Sequence, residues 1–167
     1  DALVAQRQRC VVVLTQVVLA SILFPMYLAT QARGIGFSDG GEIATAIASL
    51  GVMHPTGYPI FTVLAHFFTA LLPTPFEISF EIEILNSVFG VGAALCVAAA
   101  VRRLGSLFAA PSSESAEFWP FANWAGAVAG FGLAITPLLW HQVRIPEVYA
   151  FHVFLTAWAL YRIAVFE

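Results

Sequence analysis

The sequence predicts an all-α integral membrane protein, with four transmembrane helices and two short interfacial helices in the first outer loop. Three observations carry that expectation. Hydrophobic residues make up 60% of the 167, charged residues make up 10%, and mean hydropathy is +0.86, so the chain cannot cover itself with a water-facing surface. Four apolar runs reach the roughly 20 residues needed to cross a hydrocarbon core of about 30 Å. All seven basic residues are arginines, and most of them flank those runs.

The expected spans are 10–31, 84–101, 122–140 and 148–166, within a single membrane domain covering 1–167. Pro25 and Pro137 fall inside spans, where proline kinks a helix or marks its end. Arg7 and Arg9 precede the first span, Arg102 and Arg103 follow the second, and Arg162 lies late in the fourth, leaving Arg33 and Arg144 opposite. The positive-inside rule then places both termini in the cytoplasm, and the expected location is a bacterial inner membrane. The shorter apolar run 58–72, bounded by Pro59 and Pro73, suits a helix lying at the interface, as does 43–52. The segment 32–83 becomes a long outer loop. Between 105 and 121 a Ser/Glu/Pro-containing stretch reads as an ordinary connection.

Composition also removes function classes. A net charge of −3 with scattered arginines does not suit nucleic acid. Four histidines without ligand spacing give no metal site, and no cofactor is expected. Cys10 and Cys96 read as small buried hydrophobes, not as a disulfide pair. No cleavable signal peptide is evident, and because the chain opens at Asp1 without methionine the expectation is a missing or processed N-terminus.

The rare polar chemistry gathers in the outer loop, in FSDGGEIATAIASLGVMHPTGYPIF, residues 37–61. Asp39-Gly-Gly-Glu42 has the spacing of a capping box, in which Asp39 accepts backbone N–H bonds and Glu42 reaches back. The same two glycines also clear space for a substrate to approach Asp39 at the membrane surface. Both readings stay open. His54-Pro-Thr-Gly-Tyr-Pro59 is at once a tight turn between two helices and a source of hydrogen bonds from His54 and Tyr58 beside the acid. Trp140, His141, Arg144, Glu147 and Tyr149 crowd the same outer edge. Pro146-Glu147 looks like a helix N-terminus, and Arg144 is a candidate for a phosphate or for an ion pair with Glu147. His66 and His152 read as packing residues.

These motifs carry a resemblance. Ser38-Asp39-Gly40-Gly41-Glu42, then Leu50 to Pro59, then Trp140-His141-Gln142 and Glu147-Val148-Tyr149-Ala150 resemble the N-terminal part of a membrane family with a D-S-G-E…L-G-V-x-H-P-P-G-Y-P…E-V-Y-A pattern. That family includes animal protein O-mannosyltransferases and resembles the GT-C glycosyltransferases, which take a sugar from a polyprenyl phosphate. The resemblance implies the N-terminal part of a GT-C-like fold, with Asp39 as general base of an inverting transfer. Glu42, His54, Tyr58 and Glu147 would bind acceptor or sugar, and Arg144 would meet the lipid phosphate. Ser is replaced by Gly40 within the D-S-G-E element, acids Glu81 and Glu83 stand where relatives carry R-x-N, and four spans make a truncated homologue. The alternative is a non-catalytic structural subunit of a larger membrane complex, such as a photosynthetic or other bioenergetic assembly. Lipid, and in that case other membrane subunits, are the expected partners.

Overall fold

The computed structural model describes residues 2–32, 34, 39–72, 76–108 and 115–166, the side chains of Phe108 and of 115–118 excepted. Every regular element among them is a helix: α1 Ala2–Ala29, α2 Gly40–Ser49, α3 Pro59–Leu71, α4 Ile78–Phe108, α5 Ser115–Ala134, α6 Pro137–Val143 and α7 Tyr149–Phe166. Arg33, Ser38 and residues 109–114 of the 105–121 connection lie outside the described residues.

Three helices, α1, α4 and α7, are long and apolar enough to cross a membrane, and a fourth span results if α5 and α6 are taken together. The chain is an integral membrane protein. The first two spans are longer than their apolar runs suggested. At 1.5 Å per residue the 28-residue α1 is about 42 Å long and overreaches the hydrocarbon core. The outer loop closes sooner than expected, since α4 already begins at Ile78.

The third span is not the continuous helix expected over 122–140. Pro137 has no N–H to give to the carbonyl of Leu133, and its ring would clash there, so α5 stops at Ala134 and α6 leaves at a bend of 63°. The polar backbone opened by the break is satisfied locally. Leu133 O accepts the Thr136 amide at 3.1 Å and the Thr136 hydroxyl at 2.7 Å, while Tyr27 donates its hydroxyl to Ala134 O at 2.8 Å. By contrast α1 continues as a helix past Pro25.

Helix α4 is the centre of the molecule, packed chiefly on α5 and α7. The small residues explain the close approach. A Cβ on Gly126 would sit 2.4 Å from Ala98 O, one on Gly130 2.4 Å from Ala94 O, and one on Gly92 2.9 Å from the Phe154 ring. Cys10 and Cys96 are both free thiols, but Cys10 faces outward instead of into the protein, which corrects the expectation of burial. Outward faces of α1 and α7 are apolar because lipid, not water, is their solvent.

Two ends of the bundle are distinguishable. Arg9 of α1, Arg102 of α4 and Trp119 of α5 border one cavity, whereas Tyr27, Ala134 and the α6–α7 connection meet at the other end. The acid-bearing loop belongs to the second.

Candidate functional site

Helix α2 begins directly after Asp39, yet the Asp39 side chain makes no capping bond; only its carbonyl serves the helix, accepting Ile43 N–H at 2.9 Å. Nor does Glu42 reach back to the helix start. Its Oε1 accepts the backbone N–H of His54 at 2.5 Å, and the His54 Nδ1 lies 3.3 Å from Oε2. The capping-box reading of this stretch is therefore not realised in the fold. Asp39, with 64% of its side chain exposed, turns its Oδ2 to within 3.9 Å of His54 Nε2.

Three left-handed residues make that meeting possible. Leu50, at φ 51°, ends α2 and lets Gly51 N–H close back on Ala46 O at 2.8 Å. Gly57 at φ 80° and Tyr58 at φ 41° then turn the chain into α3, with Gly57 N–H bonded to His54 O at 2.8 Å. Helices α2 and α3 are also tied by His66, in the middle of α3, whose Nδ1 donates to Ile47 O in the last turn of α2 at 2.8 Å.

Aromatic rings form the wall beside the acids. Tyr58 sits edge-on to His54, ring centroids 6.1 Å apart, and 5.5 Å from His152 on the other side, which in turn lies 6.4 Å from Tyr149. His152, read from sequence as a packing residue, thus borders the site. Nothing local in the sequence signals this, because His152 reaches Tyr58 only through the packing of α7.

Glu147 enters from the α6–α7 connection. It is buried, and its carboxyl is pushed above the usual carboxylate range mainly by burial and then by the negative charge of Asp39; His54, the Val148 amide and His141 pull the other way. Asp39, His54 and Glu147 accordingly share one electrostatic neighbourhood. Its position is fixed by a residue that sequence reading missed. Asn86, fully buried on α4, donates its Nδ2 to both Ile145 O at 2.9 Å and Glu147 O at 2.8 Å. A buried amide three positions beyond Glu83 in an apolar helix was the available signal.

Arg144 does not join the acids. Its Nε donates to Thr30 O and its carbonyl accepts Ala32 N–H at 3.2 Å, so it ties the end of α1 to the α6–α7 connection, and no ion pair links it to Glu147 among the described residues. Glu81 and Glu83 are buried on α4, where Gln31 Nε2 donates to Glu83 O at 3.1 Å and to Ser87 Oγ at 2.6 Å. Among the described residues no group of three His, Cys, Asp or Glu side chains has the geometry to hold a metal ion.

The fold and site define a helical membrane protein that carries an acid-rich, histidine-centred, aromatic-walled surface at one end of its spans. The chain belongs to the family described as protein O-mannosyl-transferase TMEM260 N-terminal domain, whose model matches residues 39–167. It is 25% identical to protein O-mannosyl-transferase tmem260 of Dictyostelium discoideum over 97% of this chain and 20% of that protein. With protein O-mannosyl-transferase TMEM260 of Mus musculus it shares 34% identity over 65% of this chain and 16% of that protein. The chain therefore spans a fifth or less of the length of these relatives. No solved structure matches it.

Proposed function

We propose that this chain is the acid-bearing module of an inverting glycosyltransferase, moving a mannosyl group from a polyprenyl phosphate to a protein hydroxyl. The observation that carries the reading is the release of Asp39 from helix capping, which leaves a solvent-reachable carboxylate beside His54 at the end of the bundle away from Arg9 and Arg102. Relatives named protein O-mannosyl-transferases support the transfer chemistry. In the proposed step Asp39 takes the proton of the acceptor hydroxyl as its oxygen attacks the anomeric carbon. The bond from that carbon to the phosphate oxygen breaks on the opposite face, and polyprenyl phosphate leaves with the electron pair. Glu42 holds the His54 turn, and Tyr58 with His54 offers a ring face and polar edge to sugar or acceptor. A polyprenyl tail needs lipid, which is why such a site belongs at a membrane boundary. By the positive-inside rule the arginine-rich end lies in the cytoplasm, with both termini, and the acids lie outside; a bacterial inner membrane suits that polarity.

The test is Asp39→Asn in membranes from cells expressing the whole gene product, assayed for mannosyl transfer from polyprenyl phosphate mannose. Loss of a general base lowers turnover by ~10²–10⁴-fold. Equal turnover in variant and parent discards Asp39 as the base.

A second reading is favoured by Arg144, the cation expected to meet the leaving phosphate, which is engaged with the Thr30 carbonyl instead. On that reading the chain is a non-catalytic subunit of a larger membrane complex. Purification in mild detergent separates the two: stoichiometric co-purifying subunits with no transfer activity support the subunit, and an active chain without them removes it.

A further inference from the structure

At the arginine-rich end α1 is thinly packed, although Asn123 Nδ2 of α5 donates to Thr15 Oγ1 at 3.1 Å. None of its residues before Leu19 is buried. Between this part of α1 and the facing ends of α4 and α5 lies a cavity of about 460 Å³, bordered by Gln8, Arg9, Val12, Val13, Arg102 and Trp119. The residues come from three helices far apart in the chain, so the cavity is a product of packing and not of one helix face.

Its chemistry is specific. Arg9 and Arg102 are permanent cations, and among the described residues neither has a hydrogen bond or an ion pair within the protein. Arg102 is half-buried and Arg9 exposed, so the two guanidinium groups stand open at the cavity to an anion. Their planar forks match the non-bridging oxygens of a phosphate, and Gln8 adds an amide donor on the same turn of α1. Below the arginines, Val12 and Val13 continue the cavity toward the middle of the span, where a ligand needs hydrocarbon. Trp119 supplies the amphipathic ring that sits at headgroup depth. A phosphate ion would satisfy the arginines but leave the valine floor empty. A phosphodiester bearing acyl chains satisfies both.

We propose that the wedge between α1, α4 and α5 binds an anionic phospholipid, with Arg9 and Arg102 on its phosphate and the acyl chains along Val12 and Val13. This site is at the opposite end of the bundle from Asp39 and takes no part in the transfer proposed above. The bound lipid fills a gap the protein leaves open, bridging α1 to the α4–α5 pair.

The purified chain in neutral detergent is titrated with phosphatidylglycerol or phosphatidylcholine, and bound lipid is counted by native mass spectrometry. Each basic side chain near a lipid phosphate is worth about fivefold in affinity, so the pair should favour phosphatidylglycerol by roughly thirtyfold. Arg9→Gln with Arg102→Gln should remove that preference, while the charge-matched pair Arg7→Gln with Arg103→Gln, which does not border the cavity, should keep most of it. Equal affinity for the two lipids in the parent, or equal loss in the two double variants, overturns the site and leaves only general surface attraction. Should the first double variant fail to fold, the parent decides by fluorescence. Quenching of the Trp119 signal, taken as the difference between parent and Trp119→Phe, must be stronger with brominated phosphatidylglycerol than with brominated phosphatidylcholine, and equal quenching overturns the proposal.

Discussion

The backbone N–H of His54 donates to Glu42 Oε1 at 2.5 Å while the His54 imidazole stands 3.3 Å from the other oxygen of the same carboxylate. One acid therefore holds both the main chain and the side chain of the histidine that faces Asp39. Replacing Glu42 by Ala should free the turn between α2 and α3. Because the carboxylate is half exposed, the expected cost is about 1 kcal/mol, below the roughly 1.5–3 kcal/mol of a charged hydrogen bond shielded from water. Glu42→Gln keeps an acceptor for the amide and should recover most of the loss. Thermal unfolding in detergent measures both, and an unchanged melting temperature in Glu42→Ala would show that the pair contributes nothing.

Asn86 supports a larger effect. Its amide serves two carbonyls of the α6–α7 connection from a fully buried position, so Asn86→Leu strands both acceptors at about 1–3 kcal/mol each. Asn86→Asp should be no better, since a carboxylate cannot donate to a carbonyl and would face Glu147. The expected outcome is a lowered melting temperature in both variants and faster proteolysis between α6 and α7. Parent-like protection in Asn86→Leu would rule out the anchor.

The α4–α5 contact offers an internal control. Gly130→Ala drives a methyl into the Ala94 carbonyl, and Gly126→Ala into that of Ala98, and neither backbone yields without separating the helices. Each should cost about 1–3 kcal/mol as overpacking. Gly132, on the same helix, has nothing within 4 Å of a built Cβ. Gly132→Ala should therefore melt like the parent or slightly above it, since Ala is the better helix former, and equal destabilisation of all three would remove the packing explanation.

Glu147 predicts a pH dependence. Burial and the Asp39 charge raise its pKa above the ordinary 4.5, so the fold favours the protonated acid more than the unfolded chain does. That contribution is complete below pH 4.5 and is lost as pH rises through the higher value in the fold. Melting temperature in detergent should fall over this window, and Glu147→Gln, which is neutral throughout, should flatten the fall. A parent profile identical to that of the variant would remove Glu147 as its source.

Much of the architecture was legible along the chain because transfer from water to lipid is a property of local composition. Runs such as Val11 to Leu23 declare a span whatever they pack against, and the arginines sort to one end, as Arg9 and Arg102 do. Gly126 and Gly130, four apart, put two small residues on one face of α5, and the structure supplies Ala98 and Ala94 as the surface met. Pro137 was read as a kink or an end, and the bend of 63° makes it both.

The site was legible only as an inventory. Sequence placed Asp39, Glu42, His54 and Tyr58 in one loop, but whether the acids cap α2 or face His54 depends on where the turn at Gly57 and Tyr58 sends the chain. Asn86 and Glu147, and likewise Tyr58 and His152, are brought together by α4 and α7 packing, and Arg144 is taken up by Thr30 for the same reason. Such partners lie far apart in sequence, so no local pattern encodes them. Composition and periodicity settle which solvent each segment prefers, whereas hydrogen bonds between distant residues exist only once the helices have docked and their relative rotation is set.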